Sequence, residues 1–304
     1  MTDFNHETDV VYGYKDGMAL VMDVYTPRDP RVDAGIVWVA AGGWKSSHDM
    51  QHALVRRADG AATDNLARCL LDAGYVLFAV AHSSQPRYTI DDIRPDLPRA
   101  VRFVRHHAER FRIDGDRLGI LGGSSGGHVS LLTATAPPAA DPEAVDPIDR
   151  VSSRVQAVTA FYPPTDLLNY GSAGTSIQDY LNQLFQAEQG HEFNAPFDFT
   201  QFNAQSERLE PIADVAQRQE IFRQNSPITH VSADTPPVLL LHGDVDVIVP
   251  LQQSEVFCSR LQEMGVAHKL VVLPGVGHVT LAAPDDGRVD IIDWFGRHLG
   301  PDRG

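Results

Sequence analysis

The chain has 304 residues, 43 % hydrophobic and 21 % charged, which argues against wholesale disorder and leaves enough length for a large core. A formal net charge of −15 argues against a nucleic-acid partner and against an anionic membrane surface. Two cysteines are too few for a disulfide framework, and no C-x-x-C or H-E-x-x-H spacing marks a metal centre.

The first residues carry neither a basic start nor an apolar core, and no apolar run reaches the length of a membrane span. A cytoplasmic protein is therefore expected. Residues 10–14 and 19–25 flank Lys15-Asp16-Gly17 and predict an antiparallel hairpin. Residues 34–40 form a nearly continuous apolar run, the pattern of a strand buried on both faces. It ends in Ala41-Gly42-Gly43-Trp44, where glycine lets backbone N–H groups face outward into a site. Residues 45–62 are mostly polar, and His48 and His52 are expected to be solvated.

Residues 63–72 predict a helix capped by Thr63 and closed by Gly74, and residues 75–81 a second buried strand. Residues 96–111 predict an amphipathic helix with Asp96 as its cap; Arg99, Arg102, Arg105 and Arg110 are read as its solvated face. Further strands are expected at 118–121, 155–161, 237–242 and 269–273, with helices at 252–264 and 289–299. Cys69 and Cys258 fall on predicted helices and are read as small buried hydrophobes. From 167 to 225 strand-like runs vanish and aromatics scatter, which predicts a mostly helical cap insertion over the site. The alternation of strand and helix implies one α/β domain, a mostly parallel sheet with helices on both faces.

The stretch 118–130 carries the chemistry. An apolar strand runs into four glycines and two serines and then a helix-forming segment. That is the context of the nucleophile elbow G-x-S-x-G, in which glycines make room for a serine at the tip of a strained turn. The motif fits twice, on Ser124 between Gly122 and Gly126 and on Ser125 between Gly123 and Gly127; Ser124 is preferred. A serine hydroxyl needs a base, and the base an orienting acid. His278 stands in a tight glycine loop after a strand and is the preferred base; His242, His268 and His298 are read as structural or exposed. Asp246 is preferred to Asp244 as the acid, since Asp244 suits a turn that bonds its own backbone. Ligands bind such sheets at the carboxyl ends of the strands, where all of these groups fall.

The chain resembles the α/β-hydrolase superfamily, near the carboxylesterases related to hormone-sensitive lipase and the BD-FAE esterases. Its Gly122-Gly123-Ser124-Ser125-Gly126-Gly127-His128 matches the family elbow G-x-S-A-G-G-H and selects Ser124, with Ser125 in place of alanine. His242 to Pro250 matches H-G-x-x-D-x-x-V-P and selects Asp246; Gly275 to His278 matches G-x-G-H. The family's H-G-G-G-W is here Ala40-Ala41-Gly42-Gly43-Trp44. The resemblance implies an oxyanion hole from the N–H groups of Gly42, Gly43 and Ser125. It also implies a cofactor-free serine esterase that acts on a small-molecule ester of short to medium acyl chain. Trp44, Tyr162 and Tyr170 are candidate substrate-binding residues, and either a monomer or a homodimer is compatible with the acidic surface. An amide-cleaving relative is an alternative, because Ser226-Pro227 with Val231 also occurs near peptidase relatives. A non-catalytic binding module is another, but such modules tend to lose a triad member.

Overall fold

Two features of the chain build the scaffold: short apolar strands that bury both faces, and helices that cover them. The computed structural model describes residues 4–28, 32–53, 66–190, 192–278 and 285–300. In chain order the elements are β1 (Phe4–Lys15), β2 (Met18–Pro27), β3 (Gly35–Val39), β4 (Ala41–Gly42), β5 (Lys45–Ser46), α1 (His48–Ala53), α2 (Leu66–Asp72), β6 (Val76–Val80), α3 (Ile90–Ile93), α4 (Asp96–His106) and α5 (Ala108–Phe111). After these come β7 (Leu118–Gly123), α6 (Ser125–Thr135), β8 (Ala157–Phe161), α7 (Ile177–Gln189), β9 (Thr200–Asn203), β10 (Arg208–Pro211), α8 (Val215–Gln224), β11 (Val238–Gly243), α9 (Gln252–Glu263), β12 (His268–Leu273) and α10 (Asp285–His298).

The central sheet has eight strands in the order β1-β2-β6-β3-β7-β8-β11-β12. The pairs from β6 to β12 are parallel, and β1 and β2 join antiparallel at one edge. This is the α/β-hydrolase sheet that the resemblance implies. Successive residues of β3 serve opposite layers, as period-two geometry requires: Ile36 and Trp38 enter one apolar cluster, Val37 and Val39 the other. Every residue of β3, β6, β7, β8 and β11 is buried, which explains their unalternating apolar sequence. Among the described residues no helix is long and apolar enough to cross a membrane.

Several expectations change in detail. The helix expected over 96–111 breaks at His107, whose Nδ1–H donates to Phe103 O at 2.9 Å and so closes α4. Asp96 does not cap α4. Pro95 holds the cap position, and the buried Asp96 carboxylate accepts from Ser83 N–H at 2.9 Å and from Lys15 Nζ at 2.8 Å. Arg102, read as solvated, is buried against the carbonyls of Pro138 and Ala139. Cys69 and Cys258 are half-buried. The proposed Thr63 cap lies outside the described residues. The segment 167–225 holds α7 and α8 but also the β9–β10 hairpin, so it is less purely helical than expected. Its two ends are tied together, because Ser226 Oγ accepts from Leu167 N–H at 3.0 Å.

Candidate active site

Ser124 stands between β7 and α6, at the cap of the helix, with φ 53° and ψ −122°, a positive-φ conformation that a non-glycine residue adopts only when its surroundings enforce it. The enforcement is close packing. A Cβ at Gly122 would stand 2.5 Å from the carbonyl carbon and oxygen of Gly126, and one at Gly126 would stand 2.8 Å from Val39 O. The glycines two before and two after Ser124 are therefore those that backbone contact demands. Of the pair around Ser125, a Cβ at Gly127 would meet its nearest neighbours at 3.1 Å. Ser125 itself is the first residue of α6. Its Oγ is buried with no hydrogen-bond partner among the described residues.

Ser124, His278 and Asp246 are brought together from the ends of three strands. Ser124 Oγ lies 3.1 Å from His278 Nε2, and His278 Nδ1 lies 2.8 Å from Asp246 Oδ2. A carboxylate only accepts, so Nδ1 carries the proton and Nε2 is left to accept from the serine hydroxyl. The other Asp246 oxygen, Oδ1, accepts from the N–H groups of Ile248 and Val249, each at 2.9 Å. Burial alone would raise this carboxyl. The hydrogen bonds from His242, His278 and Val249 N–H outweigh it and hold the group well below the usual carboxylate range. Asp244 does something different. Its Oδ1 accepts from Gly275 N–H at 2.6 Å and ties the acid loop to the loop that carries His278.

The second wall of the site is the β4–β5 hairpin. Gly42 pairs with Lys45, and Gly43 and Trp44 form the two-residue turn between them with φ of 56° each. Both central residues at positive φ make a turn whose twist suits a tight hairpin. Tyr162, at the end of β8, packs edge-on against the His278 ring with centroids 4.6 Å apart. Burial, reinforced by the charge of Asp246, pushes its phenol up to about 12, so it stays neutral.

The BD-FAE family model matches residues 22–261, about four fifths of the chain and a span that holds Ser124 and Asp246 but stops short of His278. The chain belongs to the BD-FAE family. It is 29 % identical over 267 residues to a probable carboxylic ester hydrolase, LipM, of Mycobacterium tuberculosis, covering 86 % of this chain and 53 % of LipM. It is 26 % identical over 307 residues to the ethyl acetate hydrolase of Pseudomonas putida, covering 96 % of this chain and 83 % of that protein. This BD-FAE chain spans about half the length of most of the curated relatives it matches. Among solved structures, a truncated carbohydrate esterase from gut microbiota superposes with a TM-score of 0.72 at 20 % identity, covering 98 % of this chain and 97 % of that one. Thermogutta terrifontis esterase 2 phosphorylated by paraoxon superposes with a TM-score of 0.66 at 23 % identity, covering 97 % and 94 %. At such identities these likenesses speak for the fold.

Two aromatic side chains of this BD-FAE chain do not line a pocket as expected. Tyr170 is 1 % exposed, and its hydroxyl donates to Ile248 O at 3.0 Å. Together with Tyr180, which donates to Val247 O at 2.9 Å, it clamps the loop that carries Asp246. Trp44 is 3 % exposed, with its indole Nε1–H donating to His128 Nδ1 at 3.2 Å. The elbow histidine, His128, thus joins the turn to α6. Its Nε2–H donates to Asn225 O at 2.7 Å and reaches the end of the 167–225 insertion as well. His242, read as structural, is fully buried. Its Nε2–H donates to Val249 O at 2.8 Å and faces Asp246 Oδ2 at 3.5 Å, while Nδ1 takes the hydroxyl proton of Ser254 at 2.7 Å. The supporting roles of Trp44, His128 and Tyr170 depend on contacts 67 or more residues apart in sequence, and no local pattern announces them.

His128 makes stability depend on pH. Burial lowers its imidazole to about 4 against the hydrogen bond to Asn225, which pulls the other way. The unfolded chain, with an ordinary imidazole near about 6.5, then binds the proton more readily than the folded one. Stability is fully present above about pH 6.5 and falls towards pH 4, by roughly 3 kcal/mol over the window. Urea unfolding at pH 7 and pH 5 is expected to show about 2 kcal/mol of this loss in the parent and a smaller slope in His128→Gln. Equal slopes would remove His128 as its source.

Proposed function

We propose that this chain hydrolyses carboxylic esters through an acyl-enzyme on Ser124. The observation that carries the proposal is the unbroken hydrogen-bond chain Ser124–His278–Asp246 at a strained elbow. His278 Nε2 takes the hydroxyl proton as Ser124 Oγ attacks the ester carbonyl carbon. Asp246 keeps the other ring proton on Nδ1 and stabilises the imidazolium as it forms. The developing oxyanion is received by the N–H of Ser125, which as the first residue of α6 has no partner within its helix, and by the N–H groups of the Gly42–Gly43 turn. His278 then gives its proton to the departing alcohol. Water, deprotonated by the same ring, attacks the acyl carbon and releases the acid.

The turn and its neighbours support a reading of the substrate class. A Cβ at Gly43 would stand 3.6 Å from the Phe193 ring, and Phe193 and Phe197 both pack on Trp44. Aromatic bulk beside the oxyanion turn favours a short to medium acyl group over a long one. The name of one relative, the ethyl acetate hydrolase of Pseudomonas putida, supports the same reading.

The test is turnover of p-nitrophenyl esters from acetate to long chain, with stoichiometric labelling by a fluorophosphonate. Labelling of one serine together with fastest turnover of the short esters is expected. No turnover and no labelling would overturn the proposal.

A further inference from the structure

A second cluster of chemically useful side chains stands apart from the triad, where β1, β2 and α1 meet. His48 and His52, which the sequence suggests are solvated, are one turn apart on α1, and their rings lie 4.1 Å from centroid to centroid. His52 Nε2 reaches to 3.1 Å from Asp23 Oδ2 on β2, and His6 Nε2 on β1 reaches the same oxygen at 2.8 Å. Tyr25 holds the His6 ring in a stack with centroids 4.3 Å apart.

Asp23 is fully buried, and among the described residues no lysine or arginine is paired with it. A buried carboxylate needs a compensating positive charge. Its second oxygen, Oδ1, is already taken by Asp9 N–H at 3.1 Å. That contact exists because β1 is irregular between Glu7 and Val10, with Asp9 at φ 57°. Bulges of this kind re-aim side chains at functional sites. The backbone thus fixes the carboxylate and leaves Oδ2 facing two imidazole nitrogens, with the Tyr25 hydroxyl donating to it at 3.5 Å. The three ligand atoms lie within 4.8 Å of one another, and Asp9 and His48, themselves 3.4 Å apart, border them.

We propose that His6, Asp23 and His52 form a binding site for a divalent transition metal of borderline softness, with Zn²⁺ as the model ion. The donor set, two imidazoles and one carboxylate, is of the kind that Zn²⁺ and its neighbours prefer. The spacing fits as well: bonds of about 2.0–2.1 Å at tetrahedral angles put ligand atoms about 3.3 Å apart. The observed separations of 2.8 and 3.1 Å need to open by only a few tenths of an ångström. The ion would tie α1, which begins just after the β4–β5 hairpin, to the edge of the sheet. It is no part of the ester chemistry, and its binding is independent of that reading.

The test uses the whole chain, stripped by dialysis against a chelator. It is titrated calorimetrically with Zn²⁺ and, separately, with Co²⁺ followed by visible d–d absorption. One ion per chain is expected, and Zn²⁺ should raise the melting temperature. Loss of an outer partner of a metal ligand typically weakens binding about 10- to 100-fold, so His6→Gln and His52→Gln should each cost about 100-fold or more. His278→Ala should leave the affinity unchanged. Histidine side-chain NMR of the unaltered chain gives a readout that no misfolded variant can confuse: Zn²⁺ should move the His6 and His52 resonances. No saturable binding, binding that survives both glutamine variants, or NMR shifts confined to other histidines would overturn the proposal.

Discussion

Ser124→Ala is expected to lower the rate constant for ester turnover by a factor of the order of 10⁶, whereas Ser125→Ala keeps the activity. The two serines are neighbours in sequence but not in role. Only Ser124 Oγ meets the His278 ring, and only Ser124 sits at the positive φ that the Gly122 and Gly126 contacts enforce. Ser125 contributes its backbone N–H, which alanine keeps. Its hydroxyl is buried and, among the described residues, without a hydrogen-bond partner. Deleting an unsatisfied buried hydroxyl removes a desolvation cost, so Ser125→Ala should be as stable as the parent or more stable by about 1 kcal/mol. Turnover of p-nitrophenyl acetate and urea unfolding, measured on both variants, decide the matter. Activity that survives in Ser124→Ala but not in Ser125→Ala would move the elbow by one residue and contradict the geometry.

What could be read from the sequence divides along a physical line. The sheet was legible because β3, β6, β7, β8 and β11 are buried on both faces and so read as unbroken apolar runs. The elbow was legible because part of its constraint is local: a Cβ at Gly122 would meet the backbone of Gly126 four residues on, although Gly126 itself is kept bare by the more distant Val39 O. The β9–β10 hairpin was not, because Thr200, Gln201 and Phe202 are all exposed and no alternation of burial marks the strand. Tyr170 looked like a pocket aromatic because composition does not say which way a ring faces; in the fold it holds the carbonyl of Ile248. His48 is exposed, as expected, beside Asp9; His52 looked solvated because its partner, Asp23, lies 29 residues away on a strand whose neighbours only folding supplies. For Tyr170 and His52 the deciding contact is non-local, and periodicity carries no record of it.

Asp246→Asn is expected to cost about 10⁴-fold in turnover while leaving the site assembled. The reason can be followed atom by atom. Oδ1 of the aspartate is held by two backbone N–H groups, of Ile248 and Val249. An asparagine keeps its oxygen there, which puts its NH₂ where Oδ2 stood, 2.8 Å from His278 Nδ1. Two donors cannot face one another, so the imidazole moves its proton to Nε2. That nitrogen then points an N–H at Ser124 Oγ and cannot accept the hydroxyl proton. The amide is also badly placed towards the His242 Nε2–H, which lies 3.5 Å from the same position. Stability should change with a definite sign. Because Asp246 is held below the usual carboxylate range, its charge stabilises the fold above about pH 4, and that contribution is lost as pH falls through its folded value. The asparagine variant should therefore be less stable than the parent at pH 7, with the gap narrowing in strong acid. A turnover within about tenfold of the parent would remove Asp246 as the group that sets the tautomer. A loss of the expected size with Asp244→Asn near parental activity would place the orienting charge on Asp246 alone.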